Sequence, residues 1–250
     1  MATIGFKQSR KSPENYFLWR RNRAIPAVKR MEEILPLTNK RILDIGCGFG
    51  ALTSVLAEHG AIVNATEIDR KKLNQAKKFL KPYKKVKLVA VTDETLPFGD
   101  NVFDAIFIFD VIEHVNRPDK IVQEVKRVLK RKGFLYVEFT PYYSITGHHL
   151  YDYAKWPIHI LSRERIKQIV FGRKIPGFIS QTDFWNQFLS LNKLRISTFQ
   201  KLVADLQKCD ERFIIKYPEL FELNIPIIDY FGPLKDYFCM SFEGIYQKNV

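Results

Sequence analysis

The 250-residue chain has three cysteines, Cys47, Cys209 and Cys239, and no CxxC pair. Odd in number and widely spaced, they exclude a disulfide framework and a thiolate zinc site. They point instead to a reducing compartment, and so to a cytoplasmic location. No apolar block follows the early basic residues, so no signal peptide is expected. The longest apolar runs, such as AIFIF (Ala105–Phe109), are strand-sized, whereas a membrane-spanning helix needs about 20 such residues. Internal repeats and low-complexity tracts are absent.

Acidic residues are missing from whole stretches. Arg70–Lys87 carries nine basic side chains and no acidic one, and Met1–Arg30 carries eight against Glu14 alone. With a formal net charge of +13, such runs can attract nucleic acid, anionic lipid or an acidic substrate, although a solvated helix face also accounts for them. Only Phe79 and Tyr83 interleave with the second run, which gives no obvious stacking platform for RNA. RNA is therefore the less favoured partner, and peripheral membrane contact stays open.

What is present is a core. Hydrophobic residues make up 46%, enough for one α/β domain with a sizeable insertion. RILDIG (41–46), AIVNATE (61–67), VKLVAV (86–91), FDAIFIF (103–109) and FLYVEF (134–139) read as strands. Helical patterns stand between them: ALTSVLAEHG, stopped by Gly60; the basic segment from Arg70; and a segment after Pro118 with Ile121, Val125, Val128 and Leu129 on one face, closed by Gly133. This alternation predicts a doubly wound, mostly parallel α/β sheet. The rhythm breaks after Pro141. It returns in ISTFQKLVADL, where Ser197 and Gln200 suit a capping box, and in strand candidates RFIIKY (212–217) and YFCMSFEGIY (237–246). The expected plan is a single domain of seven strands. It has an N-terminal helical lid over about 1–38, a core over 39–141, a substrate-facing insertion over 142–195 and a final helix and strands over 196–250.

RILDIGCGFG carries the chemistry. Gly46, Gly48 and Gly50 allow a tight turn and close ligand approach, and the helix behind presents unpaired N–H groups. Glu67 ends the second strand, where an acid can accept ribose hydroxyls. The spacing G-x-G-x-G is not that of the dinucleotide fingerprint.

LDIGCGFG, ATEID, TLPFGDNVFDAIFIFDVIEHV and VKRVLKRKGFLYVEFTP together resemble the class I S-adenosylmethionine-dependent methyltransferases, in particular the methyltransferase type 11 group that includes ubiquinone and menaquinone biosynthesis enzymes. The likeness covers about Lys40–Pro141. It implies a Rossmann-like fold and S-adenosylmethionine as cofactor. It places Asp44, Gly46, Cys47, Gly48 and Gly50 beneath the methionine moiety, Glu67 on the ribose, and Ile68 beside the adenine. Asp93 and Leu96 would meet the adenine edge, although Thr92 stands where the family often has its acid. Asp110 and Val111 would face the sulfonium and the acceptor.

Histidines and aromatic residues suggest the acceptor side. His114, His148 and His149 are candidates to accept a proton from a protonated nucleophile. Tyr142, Tyr143, Tyr151 and Trp156 are candidates to line an acceptor pocket beyond the strands' carboxyl ends. DVIEHV with a downstream histidine also resembles the small-RNA terminal 2′-O-methyltransferases, whose two glutamates and two histidines hold a divalent metal. Here Asp110 replaces the first glutamate and both histidines follow TPY, so no metal is expected. The sequence favours methyl transfer to a small aromatic or amphipathic acceptor. An RNA-modifying methyltransferase, with metal-assisted 2′-O-methylation as one form of it, and a non-catalytic cofactor-binding subunit are the alternatives.

Overall fold

The computed structural model describes residues 6–92, 95–154, 158, 161–217 and 221–249. Its elements run α1 (Phe6–Ser9), α2 (Pro13–Glu32), β1 (Arg41–Ile45), α3 (Ala51–Glu58), β2 (Ile62–Glu67), α4 (Arg70–Leu80), β3 (Val86–Ala90), β4 (Phe103–Phe109), α5 (Pro118–Val128) and β5 (Leu129–Phe139). There follow α6 (Arg163–Gly172), α7 (Gln181–Leu189), α8 (Ile196–Leu202), β6 (Gln207–Tyr217), β7 (Phe221–Asn224), α9 (Lys235–Phe238) and β8 (Ser241–Gln247).

The strand order is β3-β2-β1-β4-β5-β8-β6-β7. The first five strands are parallel, and β8 joins antiparallel, pairing Phe139 with Phe242. This is the doubly wound, mostly parallel Rossmann-like sheet expected, with eight strands in place of seven. The extra strand, β7, pairs with β6 at the sheet edge. At four residues it is too short for any period to register.

Helices cover both faces because each carries one apolar stripe. On one side Ile121, Val122, Val125 and Val128 of α5 join Leu43, Ile106, Leu135 and Phe199. On the other, Ala24, Ala27, Val28 and Met31 of α2 meet Leu52, Val55, Phe107 and Tyr136. Pro13 at the start of α2 and Pro118 at the start of α5 sit where a missing N–H costs nothing. The insertion builds a third cluster from Tyr142, Leu150, Tyr153, Ile166, Val170, Phe184 and Phe188.

Three local expectations are corrected. The capping box at Ser197 does not form: the cap of α8 is Arg195, and the Ile196 N–H donates to Asp236 Oδ1 at 2.9 Å instead. α5 ends at Val128, so Leu129 already belongs to β5, and Gly133 lies within that strand beside a register shift. The last strand begins at Ser241, because Lys235–Phe238 is helical.

Candidate active site

The site lies at the carboxyl ends of β1, β2, β4 and β5. β1 runs into a loop in which Gly46, Gly48 and Gly50 all have positive φ (69°, 57° and 85°), the left-handed region that glycine enters without strain. Gly46 also leaves no room: a Cβ there would stand 2.5 Å from Val111 Cγ2. At Gly48 the direction a side chain would take is empty to 4 Å. The loop is therefore an open cradle of backbone against which a ligand can lie.

Buried carboxylates brace it. Glu67 accepts from the Gly48 N–H at 2.8 Å and from the Asp69 N–H at 2.9 Å, which fixes the loop to the start of α4. Asp44 accepts from the Thr53 hydroxyl at 2.6 Å, and burial pushes its pKa up to about 6. Cys47 is buried too; burial and then the charges of Asp44 and Glu67 push its thiol well up, so it packs and does not attack. Ile68 is 62% exposed beside Glu67, an apolar face left open to solvent. Leu96 is buried, its N–H held by Glu124 at 2.9 Å. Asp93 and Trp156 lie outside the described residues.

The Asp44 shift has a measurable sign. A carboxyl raised above its unfolded value favours the fold below that value, and the contribution is lost as pH rises through about 6. Asp44→Asn is therefore expected to be more stable than the parent at pH 7.5, by about 2–3 kcal/mol, with well under half that gain at pH 4.5. Thermal melts at both pH values check this.

A second layer comes from α2. Asp110, at φ 55°, ends β4 and gives its N–H to Glu138 O at 2.8 Å. Its carboxylate receives both Arg20 and Arg23, the latter at 2.7 Å, and Arg23 also donates to the buried Glu138 at 2.6 Å. Along the same helix Tyr16 packs against Phe49 of the glycine loop at 5.5 Å and against Phe178 of the insertion at 5.9 Å. Phe17 stacks on Phe79 at 4.4 Å. The N-terminal segment thus touches the glycine loop through Tyr16 and is tied to Asp110 and Glu138 by two arginines. Sequence patterns mark the segment but not these residues; Arg23, for one, finds its partner Glu138 115 positions away.

The third layer joins the turn after β4 to the loop after β5. Glu113 and His114 lie on a 3-10 turn, Ile112–His114. His149, at φ 55°, brings Nε2 within 3.8 Å of Glu113 Oε1 and packs its ring 4.9 Å from that of His114. Gly147 makes this loop possible, because a Cβ there would fall 2.1 Å from Pro141 O. One ligand atom each from Glu113, His114 and His149 all lie within 4.8 Å of one another, and Glu113 Oε2 has no hydrogen-bond partner among the described residues.

The Ser190 hydroxyl donates to Gln187 O at 2.9 Å and so accepts from His114 Nδ1–H at 2.8 Å, which leaves His114 Nε2 its lone pair. Burial, then the neighbouring His149, holds His114 down to about 3; burial holds His149 down to about 4. Burial, then Asp110, pushes Glu113 well up. Both imidazoles are therefore uncharged at neutral pH, and the Glu113 carboxyl is biased toward its protonated form.

His148 is turned inward instead: fully buried, it accepts the Leu150 N–H on Nδ1 at 3.0 Å. Tyr142 is buried in the insertion's cluster, and Tyr143 meets it edge-on at 5.1 Å. Arg195 covers Tyr143 at 4.2 Å. Tyr151 is half-buried.

Asn192 holds this turn, and no sequence pattern marks it. Its Nδ2 donates to Ile112 O and Val115 O, each at 2.7 Å, and its N–H to Glu113 O at 2.9 Å. Asn192→Leu is expected to lower kcat by about ten-fold or more, as misplacement of a reacting group does, with S-adenosylhomocysteine binding kept within about two-fold. Steady-state kinetics beside calorimetry check the split.

Comparison with known proteins bears on the domain and the fold around this site. Residues 43–137 match the family model described as a methyltransferase domain, Methyltransf_11. The mitochondrial ubiquinone biosynthesis O-methyltransferase of Rattus norvegicus is 30% identical over 165 residues, 64% of this chain and 43% of that protein. The ubiquinone biosynthesis O-methyltransferase of Pelagibacter ubique is 33% identical over 103 residues, 41% of this chain and 42% of that protein. The chain thus spans under half the length of these curated relatives. A Pyrococcus horikoshii crystal structure superposes with a TM-score of 0.63 at 17% identity, covering 92% of both chains. A Thermotoga maritima S-adenosylmethionine-dependent methyltransferase gives 0.59 at 19% identity, covering 94% of both. No helix among the described residues is long and apolar enough to cross a membrane. Residues 43–137 thus match a methyltransferase domain, and the sheet and helices around them follow the fold of these neighbours.

Proposed function

We propose that the chain transfers the methyl group of S-adenosylmethionine to a hydroxyl of a small aromatic or amphipathic acceptor. One observation carries this reading: next to the glycine cradle, Asp110 and the Glu113–His114–His149 cluster meet at the end of β4. The activity of the relatives, O-methylation in ubiquinone biosynthesis, supports the same acceptor chemistry.

S-Adenosylmethionine supplies an already electrophilic methyl group, so the protein's part is to align the acceptor and exclude water. In this reading the open face at Gly48 and the carboxylate of Glu67 hold the cofactor, with Ile68 and Leu96 on its adenine side. Arg20 and Arg23 hold Asp110 and close the lid. Tyr143 and His149 flank the acceptor, and His114 Nε2 is turned to take its proton. Incubation with a panel of catechols and hydroxybenzoates, read by S-adenosylhomocysteine release, tests this. Release that requires a ring hydroxyl and falls in His114→Ala supports it. Tight cofactor binding with no release on any phenolic acceptor counts against it.

A second reading replaces the His114 base with a divalent cation: the Nε2 lone pair would be a ligand, and the acceptor's proton would pass to water. Moving a proton from a phenol near pKa 10 to the His114 imidazole, held to about 3, costs about 9–10 kcal/mol, a large share of any barrier. A cation would supply charge that makes the hydroxyl more acidic. Glu113, His114 and His149 are the residues that would hold it, and the partnerless Glu113 Oε2 fits that role. Metal analysis of purified protein, with loss of turnover in chelator and recovery on adding Mg²⁺ or Zn²⁺, would support this reading. Unchanged turnover in chelator would remove it.

A further inference from the structure

Between β7 and β8 the chain forms a lip made of a 3-10 segment, Pro226–Leu234, and α9. Six large apolar side chains stand out from it: Ile227 63% exposed, Tyr230 90%, Phe231 47%, Leu234 56%, Tyr237 43% and Phe238 51%. Of its three charged residues, Lys235 and Asp236 are buried, and the exposed Asp229 is paired with Lys235. Lys235 is buried and donates to Asp229 and Gln200, each at 2.8 Å. Asp236 is buried against Arg195 at 3.7 Å. A lip that neutralises its own ions and shows water its aromatic and aliphatic groups is built to meet an apolar phase.

Its position links it to the site. β8 begins opposite the carboxyl end of β5, where Phe242 pairs with Phe139, so the lip stands at the end of the sheet that carries the site. Tyr237 touches Tyr143 at 5.9 Å. At the same end, Arg70, Lys71 and Lys72 open α4 directly after β2. All three are exposed, and none makes an ion pair among the described residues. The occupant has to suit both features. A second copy would bring its own Arg70, Lys71 and Lys72 against these cations, whereas an anionic lipid surface matches the cations and receives the apolar groups.

We propose that the Ile227–Phe238 lip inserts into an anionic lipid surface, so that an acceptor with an apolar tail passes from the bilayer along Tyr237 and Tyr143 to the site. The proposal rests on the small, amphipathic acceptor assigned to that site under Proposed function. The cationic start of α4 orients the protein, and the lip supplies the hold.

Flotation of the full chain with phosphatidylcholine vesicles, with and without about 30% phosphatidylglycerol, tests it. The parent protein is expected to float with the anionic vesicles. Ile227→Ser/Phe231→Ser/Leu234→Ser is expected to lose about ten-fold or more of this binding with an unchanged melting temperature. Arg70→Gln/Lys71→Gln/Lys72→Gln is expected to bind less and to lose its salt dependence. Failure of the parent to float, or equal flotation of the serine variant, overturns the proposal. So does a parent dimer, seen by sedimentation, that the serines break while vesicle binding is absent. The thermal shift given by S-adenosylhomocysteine is measured on each protein. Flotation without a shift strikes the methyltransferase reading alone, and a shift without flotation strikes the lipid proposal alone.

Discussion

Glu67→Ala is expected to weaken S-adenosylhomocysteine binding by about 100-fold or more. The carboxylate is buried and organises the site in two ways: it fixes the Gly48 and Asp69 N–H groups, and in the proposed role it accepts the ribose hydroxyls. Hydrogen bonds to a charged acceptor contribute about 1.5–3 kcal/mol each, so two of them account for at least that factor. Glu67→Gln keeps the size and one acceptor oxygen and should fall between the two. Calorimetry measures the binding, and a melting curve separates lost affinity from lost structure. Alanine binding like the parent would remove Glu67 from the cofactor site.

The second large effect is on stability. Arg23→Met leaves Glu138, almost wholly buried, without its arginine, and takes one of two cations from Asp110. Burial of Arg23 works against its charge, yet Asp110 and then Glu138 raise its pKa, so the cation is locked in. Breaking such a pair from one side costs about 3–5 kcal/mol, because the remaining charge stays out of water. For a chain of this size the melting temperature should fall by roughly 6–20 °C. Arg20→Met should cost far less, since Asp110 keeps Arg23. Adding Glu138→Gln to Arg23→Met should recover part of the loss, as removing the orphaned charge does. Equal losses for the two single arginine variants would show that α2 is held by its aromatic contacts instead.

The parts legible in the sequence are those that depend on neighbours along the chain. The glycine loop is readable because three glycines within five residues have one use after a strand, and all three adopt positive φ. The parallel core is readable because its strands are apolar on both faces. Partners assembled across the fold leave no such trace. Arg20 and Arg23 lie in a basic stretch that a solvated helix face explains equally well, and Glu138 stands in a strand whose pattern speaks only of core. Asn192 acts by clamping a turn some 80 positions earlier, which no local pattern encodes. The capping-box pattern at Ser197 is a local signal overridden by a tertiary one, the buried carboxylate of Asp236. The two adjacent histidines show the limit most simply. His148 turns into the interior and His149 meets His114, a difference set by one left-handed residue.

The proposed methyl transfer to a small hydroxylated acceptor is tested most directly by following the label from methyl-labelled S-adenosylmethionine in a mixture of hydroxylated aromatic acceptors and total RNA. Label in the organic-extractable fraction, absent with Glu67→Ala, is the expected result. Label confined to RNA, or no transfer by a protein that binds S-adenosylhomocysteine tightly, would contradict it.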